Sequence, residues 1–258
     1  LDSLVCTVDL FDLIKLTKRK DGRVSIEMHG MGTETLPYEM NNAAKAAERY
    51  IECFGTGGAD IKIYKNIPVG GGLGGSSADA AGVLRGMAML YGKGSAAELK
   101  ALADGLGSDT GYMLEGGWAR LNGRGEQVKK LYLSAILYIL LLLPATAVST
   151  AECYKTYDLS PELRADTDGA IAALSAGDIY SLGKSLGNAL YPAAIELNEE
   201  VSAAYEELSG FAPCGVNMTG SGSAVFAVFE TRELRDWAMS RYRGKFRCIP
   251  LKTYIPRG

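Results

Sequence analysis

The sequence predicts an α+β protein of two lobes, covering residues 1–134 and 135–258. Three observations carry that prediction. A chain of 258 residues exceeds what one core readily fills. A strand-like run, Ile61-Lys62-Ile63-Tyr64-Lys65, passes through a glycine loop straight into a helical stretch at residues 80–90. The apolar run Ala135-Ile136-Leu137-Tyr138-Ile139-Leu140-Leu141-Leu142-Leu143 is ended by Pro144 and reads as a buried central strand, since a membrane-spanning helix needs about 20 apolar residues.

The remaining elements follow in chain order. Ile14, Leu16 and Lys18 alternate, Asp21-Gly22 predicts a hairpin turn, and Val24, Ile26 and Met28 form its second arm. Asn41-Asn42 offers a helix cap, after which Ala44, Ala47, Tyr50, Ile51 and Phe54 recur on one face. Another helix is expected at about residues 96–104, and the glycine-rich stretch 105–126 is expected to be a turn leading into a strand. Residues 161–210 are helical in character, with Pro161, Leu163, Ile171 and Leu174, then a helix at 182–190, then an Asn198-capped helix carrying Val201, Tyr205 and Leu208. Residues 216–229 run as a Gly/Ser loop into an alternating strand. A helix at 233–242 and a strand at 246–254 close the chain.

Composition narrows the function. Apolar residues make up 47% and the net charge is −3, so a packed globular protein without a basic nucleic-acid surface is expected. Five scattered cysteines, Cys6, Cys53, Cys153, Cys214 and Cys248, lack Cys-x-x-Cys spacing and read as reduced thiols in a cytoplasmic protein. The single histidine, His29, has no partner for a metal site.

The pivotal stretch is Pro68-Val69-Gly70-Gly71-Gly72-Leu73-Gly74-Gly75-Ser76-Ser77-Ala78. Its glycines remove the Cβ atoms that would hold a ligand away from the backbone amides. Ser76 and Ser77 fall where the helix begins, so their hydroxyls and the free N–H groups of the first turn converge on one anion. A flexible Gly/Ser linker would share this composition, but this run joins a strand to an Ala/Leu/Met helix without polar padding. No Gly-Lys-Ser/Thr ends it, which excludes a Walker loop, and it lacks the acidic residue and spacing of a dinucleotide fingerprint.

The Pro-x-Gly-x-Gly-Leu-Gly-Gly-Ser-Ser order resembles the nucleotide-binding motif of the GHMP kinases, the small-molecule kinases named for galactose, homoserine, mevalonate and phosphomevalonate. Two further segments match in family order. Gly107-Ser108-Asp109 and Gly123-Arg124-Gly125-Glu126 are similar to the Gly-Ala-Asp and Gly-Arg-Gly-Glu segments of the members that phosphorylate a cytidine diphospho-sugar alcohol on the way to isoprenoids. Met218-Thr219-Gly220-Ser221-Gly222 resembles the third family motif, which meets the nucleotide loop from the second lobe.

The resemblance implies a ribosomal protein S5 domain 2-like N-terminal ATP-binding lobe over 1–134 and a ferredoxin-like C-terminal lobe over 135–258. It implies ATP and Mg²⁺ at residues 68–78 and at Gly220, Ser221 and Gly222. Asp109 would be the general base for a 2-hydroxyl, and Tyr154 would lie against the cytosine ring. It also implies a small-molecule substrate, no nucleic-acid or membrane partner, and a monomer or weak homodimer. On its own, Asp109 reads first as a turn-former capping its own backbone, and Tyr154 equally as an amphipathic core tyrosine.

Two departures stand out. Thr110-Gly111-Tyr112 replaces the family's Val-Pro-Phe, and glycine lacks proline's fixed φ. The family's N-terminal strand, with a lysine that partners the acid, would precede Leu1-Asp2-Ser3; Lys15, Lys18 and Lys20 do not match its place, and no residue is assigned to it. The sequence begins without methionine or secretory signal, so an upstream segment is expected either to have been lost or to be lacking from the site. Another GHMP-type small-molecule kinase and a nucleotide-binding protein without catalysis therefore stay open as alternatives.

Overall fold

The computed structural model describes residues 1–30, 37–159 and 165–256. Three sheets and ten α-helices organise these residues. The first strand, β1 (Asp2–Val5), lies apart from the next two, β2 (Leu13–Lys18) and β3 (Val24–His29). Helix α1 (Asn42–Phe54) is capped by Asn41, whose side chain accepts from the Ala43 and Ala44 amides. Strand β4 (Ala59–Tyr64) then enters the glycine loop, and α2 (Gly75–Tyr91) leaves it. Helix α1 buries Ala43, Ala44, Ala46 and Ala47, and these small side chains let its backbone approach α2 closely.

The sheet order β2-β4-β3 overturns the expected hairpin. Strand β2 pairs with β4 antiparallel and β3 pairs with β4 parallel, so β4 separates the two arms. The cause lies in burial and in loop geometry. Ala59, Ile61 and Ile63 of β4 are fully buried, which demands a neighbour on each edge. The Asp21-Gly22 turn is the rim of a wider loop that straddles the entry to β4: Arg19 N–H donates to Gly58 O at 2.9 Å, and Ala59 N–H donates to Arg23 O at 3.1 Å. A Cβ on Gly58 would overlap the Arg23 carbonyl, so only glycine lets the loop cross there.

After α3 (Ala96–Asp104), the glycine-rich stretch read as a plain turn contains another helix, α4 (Thr110–Glu115). Its Thr110, Gly111, Tyr112 and Leu114 are buried, so packing supplies what local propensity does not. Strands β5 (Trp118–Asn122) and β6 (Gln127–Leu131) complete a second sheet, β1-β5-β6, antiparallel throughout.

The apolar run is β7 (Tyr138–Leu143), an interior strand with Leu140, Leu141 and Leu142 almost wholly buried. Five helices follow: α5 (Thr150–Leu159), α6 (Thr167–Ala176), α7 (Ile179–Ser185), α8 (Tyr191–Leu197) and α9 (Glu200–Ser209). Pro161 and Leu163 lie outside the described residues. The helix expected at 182–190 stops at Ser185, because Asn188 leaves the helical path to bond the backbone of a neighbouring loop. Asn198 acts one residue ahead of the α9 cap, accepting from Glu200 N–H at 3.0 Å.

Strands β8 (Gly215–Met218) and β9 (Val225–Phe229), helix α10 (Arg232–Arg241) and strand β10 (Arg247–Lys252) finish the third sheet. Its order is β10-β7-β9-β8, which is fourth-first-third-second in chain order and antiparallel throughout, as a ferredoxin-like lobe requires.

Each lobe has its own apolar cluster, and a third cluster joins them. It packs Leu137, Ile139, Leu141, Val228 and Leu251 of the third sheet with Trp118, Leu4, Cys6 and Val8 of the first lobe. Leu73, from inside the glycine loop, inserts into the same cluster and anchors the loop to both lobes. The cysteines are free thiols, and burial pushes the Cys6 thiol up to about 12, which leaves it inert as a nucleophile at neutral pH.

Candidate active site

Everything in the site refers to the glycine loop between β4 and α2. Its ends are fixed by burial: Ile67 packs in the core before it, and Asp79, Ala80 and Ala81 are buried in α2 after it. Gly70, Gly72 and Gly74 all have positive φ, and Gly74 caps α2 in the left-handed region at φ 68°. The amides of the first turn of α2 therefore have no preceding helical turn to bond and point out of the loop. Ser76 is exposed, with its hydroxyl accepting from Asn42 Nδ2 at 2.8 Å; Ser77 is partly buried.

The second Gly/Ser loop meets the first directly. The Thr219 hydroxyl donates to Gly72 O at 3.0 Å, and a Cβ on Gly220 would fall 2.8 Å from that same oxygen. Asn188 holds this loop from behind, donating through Nδ2 to Met218 O and Gly220 O, both at 2.8 Å. The buried Ser221 hydroxyl meets Thr150 Oγ1 at 2.8 Å and so ties the loop to the start of α5.

Asp109 closes the third side. It occupies the cap position of α4, yet its side chain makes no capping bond. Asp109 does lie in a turn, closed by Thr110 N–H donating to Gly107 O at 3.1 Å, but its side chain does not cap its own backbone. Its carboxylate accepts one bond, from Ser108 Oγ to Oδ1 at 3.2 Å, and no cation pairs with it among the described residues. Oδ2 lies 4.0 Å from where a Cβ on Gly74 would stand, which sets the acid against the cap of α2. Gly107, two residues earlier, lies with its Cβ position 3.6 Å from Ser77 Oγ. At Gly111, where the family has proline, a Cβ would stand 2.6 Å from Asp104 Oδ1, the end of a partly exposed side chain that can move aside.

Tyr154 on α5 is 40% exposed and belongs to none of the apolar clusters, so it is not a core tyrosine. Partial burial, and after it the charge of Asp109, raise its phenol above the ordinary tyrosine value. Its ring thus stands within electrostatic reach of the acid. The two Gly/Ser loops thus meet at Gly72, Asp109 lies against Gly74 at the cap of α2, and Tyr154 lies within electrostatic reach of Asp109, an arrangement able to cradle an anion.

The sequence gives no warning of a fourth feature beneath the cradle. Lys65, at the end of β4, lies between Asp12 and Asp79, with the three side chains only 4%, 3% and 6% exposed. Its ammonium donates to Asp12 Oδ2 and to Asp79 Oδ2, the latter at 2.7 Å. Asp12 Oδ1 also accepts from the amides of Asn66 at 2.6 Å and Ile67 at 2.9 Å, the residues that enter the loop. Burial, the largest influence, pushes the Asp79 carboxyl up to about 7, against the opposing pull of Lys65. Asp12 stands 53 positions before Lys65, so no local spacing could reveal the cluster.

No group of three or more His, Cys, Asp or Glu side chains suited to a metal is present among the described residues. Among the described residues, no helix is long and apolar enough to cross a membrane.

Comparisons with known proteins agree with this geometry. Residues 41–119 match the model of the GHMP kinases N terminal domain, and residues 170–247 match that of the GHMP kinases C terminal region. The chain is 36% identical over 262 residues to a 4-diphosphocytidyl-2-C-methyl-D-erythritol kinase of Desulfitobacterium hafniense, covering 100% of this chain and 88% of that protein. It is 35% identical over 234 residues to the protein of the same name in Clostridium beijerinckii, covering 89% and 82%. A crystal structure of 4-(cytidine 5'-diphospho)-2C-methyl-D-erythritol kinase superposes with a TM-score of 0.80 at 28% identity, covering 97% of this chain and 89% of that one.

Proposed function

This chain belongs to the GHMP kinase family, and we propose that it transfers the γ-phosphoryl group of ATP to the 2-hydroxyl of 4-diphosphocytidyl-2-C-methyl-D-erythritol, a step of the non-mevalonate isoprenoid route. One observation carries the proposal: an uncapped carboxylate, Asp109, set against Gly74, where the anion cradle opens. The ring of Tyr154 nearby supports the cytidyl acceptor.

Phosphoryl transfer asks little covalent chemistry of the protein; it asks that the attacking oxygen and the phosphorus be held in line. The amides of the first turn of α2, with Pro68 to Ala78 and the Ser76 and Ser77 hydroxyls, hold the nucleotide phosphates. Gly220, Ser221 and Gly222 cover them from the second lobe. Asp109 takes the proton as the acceptor O–H bond breaks; the oxygen bonds to the γ-phosphorus, and the bond to the β-phosphate oxygen breaks to release ADP. Mg²⁺ would enter with the nucleotide phosphates in the loop of Pro68 to Ala78, where it would offset their charge.

The proposal includes the division of the lobes between residues 134 and 135, a cytoplasmic setting, and a monomer or weak homodimer without nucleic-acid or membrane partners. ADP release from Mg-ATP, with and without the cytidyl substrate, tests the activity. Release that depends on that substrate is expected; release with a different small alcohol instead, or nucleotide binding without turnover, would overturn the assignment.

Tyr154→Ala is expected to raise the KM for the cytidyl substrate about 5- to 150-fold, the equivalent of about 1–3 kcal/mol of base stacking, with the KM for ATP unchanged. Equal effects on both KM values would remove Tyr154 from base contact.

A further inference from the structure

We propose that Asp79 is a positioning residue for the phosphate loop, and that a nucleotide entering the loop drives uptake of a proton by Asp79, which is buried against Lys65 beside Asp12. The proposal rests on the reading of the glycine loop as the nucleotide site.

The buried groups do not balance in charge. Two carboxylates enclose a single ammonium, and all three side chains are more than nine-tenths buried. Asp79 Oδ1 is buried without a hydrogen-bond partner among the described residues, which an ionised carboxylate tolerates poorly. Asp12 and Asp79 both accept from the Lys65 ammonium, so the cluster carries one excess negative charge, and a proton on Asp79 removes it. Asp79 is thus poised to gain or lose that proton near neutrality, with its carboxyl pushed up to about 7.

The cluster also lies directly under the loop. Lys65 Nζ is 3.3 Å from the position of a Cβ on Gly75, the first residue of α2, and Asp12 accepts from both amides that lead into the loop. The charged groups facing Asp79 are Lys65 from the end of β4 and Asp12 from the segment before β2. Helix α1 meets this turn through the uncharged Asn42 amide, which donates to Ser76 Oγ, and from the turn before α4 Asp109 Oδ2 lies 4.0 Å from the Cβ position of Gly74. A polyphosphate at the start of α2 adds negative charge beside the cluster, with proton binding at Asp79 expected to strengthen about tenfold.

The sign follows from linkage. A site that binds a proton more tightly when nucleotide is present takes one up on binding, so nucleotide affinity weakens as pH rises through the window from about 7 to about 8. At pH 7.5 a tenfold change centred there corresponds to uptake of about half a proton.

Calorimetric titration of magnesium-free ADP into the full chain, in buffers of different ionisation enthalpy, measures this directly. Wild type should take up about half a proton more at pH 7.5 than Asp79→Asn; the difference cancels protons exchanged by ADP itself. Asp79→Glu, which keeps a titratable group, should restore part of the uptake. In wild type alone the uptake should fade above pH 9, so the test survives a poorly folded variant. Binding with the same proton count in wild type and Asp79→Asn, or an uptake independent of pH, overturns this proposal alone. No ADP binding by wild type overturns both it and the nucleotide reading.

Discussion

Asp109→Asn is expected to lower turnover by about 10²–10⁴-fold, with the KM for ATP and the thermal midpoint close to those of wild type. The expected loss equals about 3–5 kcal/mol of transition-state stabilisation. It is confined to chemistry because of what the side chain does not do: it caps no helix, joins no ion pair among the described residues, and accepts a single hydroxyl bond from Ser108. Asparagine keeps the shape and the acceptor oxygen but cannot carry away the substrate proton. A second readout comes from Tyr154, whose phenol is raised in part by the charge of Asp109. In the variant that phenol should titrate at lower pH, which spectrophotometric titration resolves by difference. Steady-state kinetics with near-normal turnover would remove Asp109 from the mechanism.

What could be read from the sequence was whatever is encoded over a short span. Strand β4, the loop and α2 announce themselves because apolar alternation, a glycine run and a helical pattern follow one another without interruption. The Asn41 cap and the buried strand β7 are legible for the same reason. Errors arose where distant chain decides the outcome. Asp21-Gly22 looks like a hairpin turn, and only β4, some 40 residues on, shows that a third strand separates the arms. Thr110–Glu115 contains a glycine and too few residues to be a helix on propensity, but burial makes it one. The site divides along the same line. The anion cradle is local, whereas the Asp12–Lys65–Asp79 cluster exists only once β2, β4 and α2 are packed together.

Adding one methyl group to Gly72 should be far more damaging than adding it to Gly71 next door, and the pair tests whether the two Gly/Ser loops form one binding surface. Gly71 has ordinary backbone angles, and a Cβ there would stand 3.5 Å from Pro68 Cβ and 3.7 Å from Leu73 Cδ1, normal contact distances. Gly72 has φ +70°, and its Cβ would overlap the Thr219 carbonyl and stand 2.7 Å from Gly222 O. The left-handed backbone alone costs an alanine about 1 kcal/mol, and displacing the second loop breaks the Thr219–Gly72 bond, worth about 1 kcal/mol more. Gly72→Ala should therefore lower the melting midpoint by about 4–8 °C, taking about 2–4 °C per kcal/mol for a chain of this size. It should also raise the KM for ATP by more than about tenfold, because the groups that cover the phosphates move with the loop. Gly71→Ala should stay within about 2 °C and about threefold on the same two measures. Equal behaviour of the two variants in thermal melts and ATP kinetics would mean that the contact between the loops is not what shapes the nucleotide site.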